Sequence, residues 1–131
     1  MRMTIEKIET DEAPEAIGPY SQAVLAGPFL FISGQIPIDP QTGQLVEDTI
    51  EAQTEQVLDN IEAILKAKGL SFHHVVKTEV FLKDMEDFQA MNSIYAKRFS
   101  NIIKPARQAF QVARLPRDAR VEISCIAFEF K

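Results

Sequence analysis

Two histidines, one cysteine and a few arginine, glutamate and asparagine residues are the side chains in this chain that could do chemistry. His73 and His74 are adjacent, so in an extended segment they face opposite ways and cannot share a metal. They follow Gly69 in what reads as a helix-to-strand connection, where solvated residues are the rule. No other Cys or His grouping has metal-ligand spacing, and no metal site is expected. Cys125 sits among Val121, Ile123 and Ala127, with no histidine placed by sequence to activate it. A free cysteine in that setting behaves as a small buried hydrophobe. The five glycines never adopt GxGxxG or GxxxxGK spacing, so no phosphate cradle is expected.

Three polar residues are harder to set aside. Asn92 lies beside the apolar stripe of a helical segment, where an unpaired amide costs on the order of 1–3 kcal/mol. Arg107 follows Pro105-Ala106 at the start of a strand, on the face shared with Ala109 and Gln111. Glu122 is the lone acid on an apolar-leaning strand face. Two roles fit the arginine and the glutamate. They can simply pair with each other, or Arg107 can hold a substrate carboxylate in its fork of donors while Glu122 handles a proton or a water. Residue types alone leave both open.

Periodicity supplies the elements that must carry these groups. A helix is predicted from near Asp48, with Glu51 three residues on as an approximate capping box and Gly69 as the stop. Ile50, Thr54, Val57, Leu58, Ile61, Ile64 and Leu65 form its apolar side, and Glu51, Glu55, Asp59 and Glu62 its polar side. A second helix, from about Glu86 to Phe99, has Phe88, Met91, Tyr95 and Phe99 as its stripe. Strands are predicted at Thr4–Ile8, Ser21–Ala26, Phe29–Ser33, Val75–Leu82, Ala106–Val112 and Ala119–Phe130. In the fourth, Val76, Thr78, Val80 and Leu82 should share a face.

The order β β β α β α β β predicts two helices covering one face of a sheet. In the last strand the opposite face still carries Ile126, Phe128 and Phe130. A solvated face would show clean polar alternation. Something covers it, and another copy of the chain is the economical candidate.

Composition bounds the function. At 131 residues the chain is expected to be one domain, spanning residues 1–131, large enough to bury a core without disulfides or metals. Fourteen basic against nineteen acidic residues give a net charge of −5, which repels a phosphate backbone and argues against nucleic-acid binding. A single cysteine fits a reducing compartment. No apolar run approaches a membrane span, and the N-terminus lacks a signal-peptide core, so a soluble cytoplasmic protein is expected.

The strings IGPYSQA (Ile17 to Ala23), FISGQIPIDPQTGQ (Phe31 to Gln44), VVKTEVFLKDMEDFQAMN (Val75 to Asn92), PAR (Pro105 to Arg107) and VARLPRDARVEISCIA (Val112 to Ala127) closely resemble the RidA (YjgF-type) family. The likeness runs over nearly the whole chain, in the right order. It implies an α+β, chorismate-mutase-like domain: a mixed sheet of about six strands backed by two helices, in homotrimers whose sheets build a central barrel. It also implies active sites in clefts between subunits, and cofactor-free hydrolysis of reactive 2-imino acids and their enamine tautomers to 2-oxo acids and ammonia. Carried over by position, Arg107 should bind the substrate carboxylate and Glu122 position or deprotonate the attacking water. Tyr20, Ser33 and Asn92 should line the pocket, and the main chain of Ala109 should contact substrate.

The sequence departs from the family after the PAR arginine. Many members have serine or threonine there and often cysteine next, where this chain has Gln108 and Ala109, so no thiol acts at that position. The segment between Asn92 and Arg107 also looks about two residues shorter than usual, which bears on substrate preference more than on reaction type. Two other functions attach to such a chain. One is a non-catalytic module that binds small carboxylates and regulates a partner; the other is an endoribonuclease or translation inhibitor, which the charge disfavours.

Overall fold

An 18-residue helix, α1 (Ile50–Ala67), starts and stops where local hydrogen bonding allows it. Its N-cap is Thr49, whose hydroxyl accepts from the Ala52 amide at 3.1 Å. The capping role predicted near Asp48 therefore falls one residue later, and Asp48 instead accepts from Arg120 Nε at 2.8 Å. At the other end Gly69 takes φ 75°. The amides of Gly69 and Leu70 close back on the Lys66 and Leu65 carbonyls, both at 2.9 Å. Glycine adopts that left-handed stop without the penalty of a Cβ.

The computed structural model describes residues 4–101 and 103–130. Six strands form one sheet: β1 (Ile5–Ile8), β2 (Ala23–Ala26), β3 (Phe29–Gln35), β4 (Val75–Leu82), β5 (Ala106–Gln111) and β6 (Val121–Phe128). Their order across the sheet is β1-β2-β3-β6-β4-β5. The β4–β5 pair is parallel and the others antiparallel, so the sheet is mixed and the class α+β. The second helix, α2 (Phe88–Arg98), begins after a 3-10 turn at Met85–Asp87, two residues later than its apolar pattern indicates.

The core lies between the helices and one sheet face. Val57, Leu58, Ile61, Ile64 and Leu65 of α1 meet Leu30, Val80, Leu82, Val121, Ile123 and Ala127 of the sheet, all fully buried. Each large aliphatic side chain so placed contributes about 1.5–3 kcal/mol of transfer free energy. Two buried polar residues of α1 tie it to its surroundings. Gln53 Oε1 accepts from the Arg120 amide at 2.8 Å, and Asn60 Nδ2 donates to the Ile38 carbonyl at 3.0 Å. On the outside Arg98 of α2 bridges Glu55 and Asp59 of α1, each at 2.9 Å.

Two register shifts change which residues share a face. Between Val75 and Lys77 the β4–β6 register slips, so Val75 is buried and Val76 is 44% exposed. Val76 therefore does not join Thr78, Val80 and Leu82 on the core face. A second shift in β3, between Ile32 and Gln35, bulges the chain at Ser33-Gly34.

The face away from the helices is apolar at one end. Phe29, Phe31 and Phe128 are 37–45% exposed there, with the Phe29 and Phe128 rings 5.3 Å apart. Among the described residues no helix is long and apolar enough to cross a membrane.

Candidate active site

Arg107 stands near the start of β5, an edge strand, and is aligned with Thr78 of β4 on the helix face. Its Nη1 donates to Asn92 Oδ1 at 2.6 Å. Its guanidinium carbon lies 4.8 Å from the centroid of the Tyr95 ring and 5.5 Å from that of Phe88. Residues 88, 92 and 95 recur at i, i+4 and i+7, so α2 presents ring, amide and ring on one side. Tyr95 Oη and Thr78 Oγ1 share a buried hydrogen bond of 2.7 Å. Burial raises the Tyr95 pKa, with the Thr78 bond and the Arg107 charge pulling the other way. Ala109 lies two residues along β5, beside Val80 and half-buried.

Glu122 belongs to a second constellation. It is aligned with Phe81 of β4, three residues from Thr78 along an unbroken register. Successive residues of a strand alternate faces, so Glu122 and Arg107 project from opposite faces of the sheet. The ion pair that their types allow is not formed: Arg107 donates to an amide instead. Burial pushes the Glu122 carboxyl above its ordinary pKa. Its side chain packs over Gly34 in the β3 bulge. A Cβ there would collide with the carboxylate oxygen and lie 2.9 Å from Cδ and 3.1 Å from Cγ.

Tyr20 and Ser33 sit around the same bulge. Ser33 Oγ donates to the Ser21 carbonyl at 2.6 Å, and the Ser33 amide to the Gln22 carbonyl at 3.0 Å. Gln22 in turn pins the preceding loop, accepting from the Thr10 amide and donating to the Pro14 carbonyl, both at 2.7 Å. Tyr20 is 55% exposed and shares with Gly34, Gln35, Ile36 and Pro116 a groove of about 270 Å³. The candidate residues thus fall into two groups, Arg107, Asn92 and Ala109 on the helix side and Tyr20, Ser33 and Glu122 around the bulge.

Gly34, Gln22, Thr78 and Tyr95 were not singled out as site residues from the sequence. Gly34 and Gln22 lie inside the strings FISGQ and YSQA, and Tyr95 stands three residues after Asn92. Nothing local distinguishes Thr78 from any other strand threonine.

The remaining candidates stay outside this geometry. Cys125 is buried and its thiol is pushed up to about 12, so it holds its proton at neutral pH. His73 and His74 lie in a 3-10 turn rather than an extended segment; His73 is exposed, and His74 Nδ1 accepts from the Ser71 amide at 3.1 Å. Among the described residues no group of three or more His, Cys, Asp or Glu could hold a metal ion.

A model of the family described as Endoribonuclease L-PSP matches residues 10–129. The chain belongs to this family, the RidA (YjgF-type) family. A RutC family protein of Pyrococcus horikoshii is 56% identical over 124 residues, covering 95% of this chain and 98% of that protein. A mouse relative named 2-iminobutanoate/2-iminopropanoate deaminase is 51% identical over 122 residues, covering 93% of this chain and 90% of that one. Among solved structures, Escherichia coli TdcF with bound serine superposes with a TM-score of 0.89. It has 41% identity and covers 95% of this chain and 99% of the other.

Proposed function

We propose that this protein is a cofactor-free hydrolase of 2-imino acids, releasing 2-oxo acids and ammonia, and that it works as a homotrimer with sites between subunits. The observation that carries the reading is Arg107, an exposed guanidinium that among the described residues is held by an amide and aromatic rings rather than by a carboxylate. Such a fork is a receptor for a planar carboxylate. Mouse and plant relatives of about 50% identity bear deaminase names, and the bound serine of the TdcF structure is a small amino acid.

In the reaction, Arg107 binds the carboxylate and Asn92 holds Arg107 in place. Glu122 takes a proton from water as its oxygen bonds to the imine carbon of the protonated substrate. Glu122 then returns that proton to the nitrogen of the resulting carbinolamine, the C–N bond breaks, and the departing ammonia takes the hydroxyl proton, leaving ammonium and the 2-oxo acid. A protonated imine is already electrophilic, so orientation and water delivery are most of what the protein must supply. Because Arg107 and Glu122 lie on opposite faces, a second copy supplies the half-site that completes each cleft. Tyr20, Ser33 and the Ala109 main chain line it. The endoribonuclease activity in the family description is disfavoured by the net charge of −5.

The test couples the purified protein to a serine dehydratase that generates 2-aminoacrylate, following pyruvate release. Acceleration over the spontaneous rate is expected. Its absence would leave the reading of a non-catalytic carboxylate-binding module. Arg107→Ala should cost about 2–5 kcal/mol of carboxylate binding, roughly 30- to several-thousand-fold in kcat/KM. Arg107→Lys should rescue only part, since an ammonium lacks the two parallel donors.

A further inference from the structure

We propose that Tyr95 is a positioning residue for Arg107: its ring, fixed from inside the core by Thr78, seats the guanidinium and keeps the carboxylate receptor formed before substrate arrives. The proposal rests on the reading of Arg107 as that receptor, and it concerns two residues that touch no substrate.

The geometry is specific. The Tyr95 ring is the nearer of the two aromatic faces, with the Arg107 guanidinium carbon 4.8 Å from its centroid. Tyr95 is only 7% exposed and Thr78 is fully buried. A Tyr95 hydroxyl without a partner there would carry the cost of an unsatisfied buried group. The 2.7 Å bond to Thr78 meets that need and sets the ring's position on the sheet. Phe99 stacks on the Tyr95 ring with centroids 4.4 Å apart, which further limits its motion. Thr78 and Arg107 are neighbours across the β4–β5 pair, so one strand pair carries both the receptor and the anchor of its seat.

Arginine otherwise loses several rotatable bonds on ordering, and a receptor already ordered does not lose them again when ligand binds. The ring adds attraction for the cation. Asn92 constrains one nitrogen by a directional bond, whereas the ring supports the central carbon of the group from one side. Together they leave a fork whose remaining donors are preset.

The experiment uses the intact protein and 2-oxobutanoate, a stable carboxylate, as probe. Titration calorimetry gives its affinity, and the Arg107 Nε–H resonance reports the ring above it. In the parent that resonance should be displaced by ring current. Tyr95→Leu should remove the displacement and weaken 2-oxobutanoate roughly 3- to 30-fold. Tyr95→Phe keeps the ring but loses its tether to Thr78, so it should bind the probe more weakly than the parent and more tightly than Tyr95→Leu. In imine hydrolysis Tyr95→Leu should raise KM with kcat nearly unchanged.

Should Tyr95→Leu fail to fold, replacing Tyr95 by pentafluorophenylalanine keeps shape and burial while inverting the electrostatics of the ring face. It should weaken the probe, measured against Tyr95→Phe. Arg107→Ala separates the two levels of inference. If it binds 2-oxobutanoate like the parent, the receptor reading itself fails. If it loses binding while folded Tyr95→Leu, or the pentafluoro variant, keeps the parent affinity, the positioning role is overturned and the receptor stands. Tyr95→Phe weakening the probe as much as Tyr95→Leu would also overturn it, because the ring face would then contribute nothing to the seat.

Discussion

Half-burial of the Glu122 carboxyl penalises its anion, so its pKa in the folded chain lies above the unfolded value. Between those two values the folded state holds the extra proton. This contribution to stability is therefore fully present below the unfolded pKa and is lost as pH rises through the folded one. Glu122→Gln should then melt at neutral pH no lower than the parent. Its turnover should fall about 10²- to 10⁴-fold if the carboxylate is the base. The parent kcat/KM should fall on the acid side with a pKa above the ordinary glutamate value of about 4.3. That limb should vanish in Glu122→Gln; its survival there would assign the limb to another group. Gly34 offers a finer test, because a methyl on it displaces the carboxyl rather than deleting it. The Glu122 side chain can rotate away, so Gly34→Ala should leave the melting temperature nearly unchanged and lower kcat/KM at least tenfold, roughly the effect of moving a catalytic group by about 1 Å.

Helices and strands position these residues through a few contacts that the apolar pattern does not show. The Thr49 cap, the Gly69 stop and the Gln53 and Asn60 side chains fix α1 along its axis, and Arg98 then locks α2 to it. Since α2 carries Asn92 and Tyr95, the placement of Arg107 depends on that chain of contacts. Thr49→Ala removes one acceptor for an orphan amide and should cost about 1 kcal/mol. Urea denaturation should show a lower midpoint with an unchanged slope. A changed slope would mean that the variant alters compactness instead. The β3 bulge plays the matching part for Glu122, placing Gly34 under its side chain.

For the whole molecule the decisive feature is a sheet with one face in the core and the other bearing Phe29, Phe31, Ile126 and Phe128. Covering those rings with a second and third copy would bury them and bring half-sites from different chains together. Sedimentation equilibrium at micromolar concentration should give three times the chain mass of 14.8 kDa. Phe31→Glu places a charge on that face and should shift the mass toward one chain, because an unpaired carboxylate opposes its own burial. Imine hydrolysis should fall in step with dissociation. A folded monomer with full activity would refute sites shared between subunits.

Element order, the α1 stripe and the buried setting of Cys125 were legible in the sequence, because periodicity of 3.6 or 2 is a local property of the chain. The motif strings likewise marked Arg107, Glu122, Asn92, Tyr20 and Ser33 as candidate site residues without any geometry. Tertiary structure decided the rest. Val76 turned outward because a bulge against β6 shifts the register, and no spacing within β4 records that shift. Capping moved to Thr49 because Asp48 is taken by Arg120, 72 residues away. Arg107 and Glu122 lie on opposite faces because each is aligned with a different residue of β4. The Tyr95 seat and the Gly34 contact join segments distant in the chain, and only folding sets such alignments.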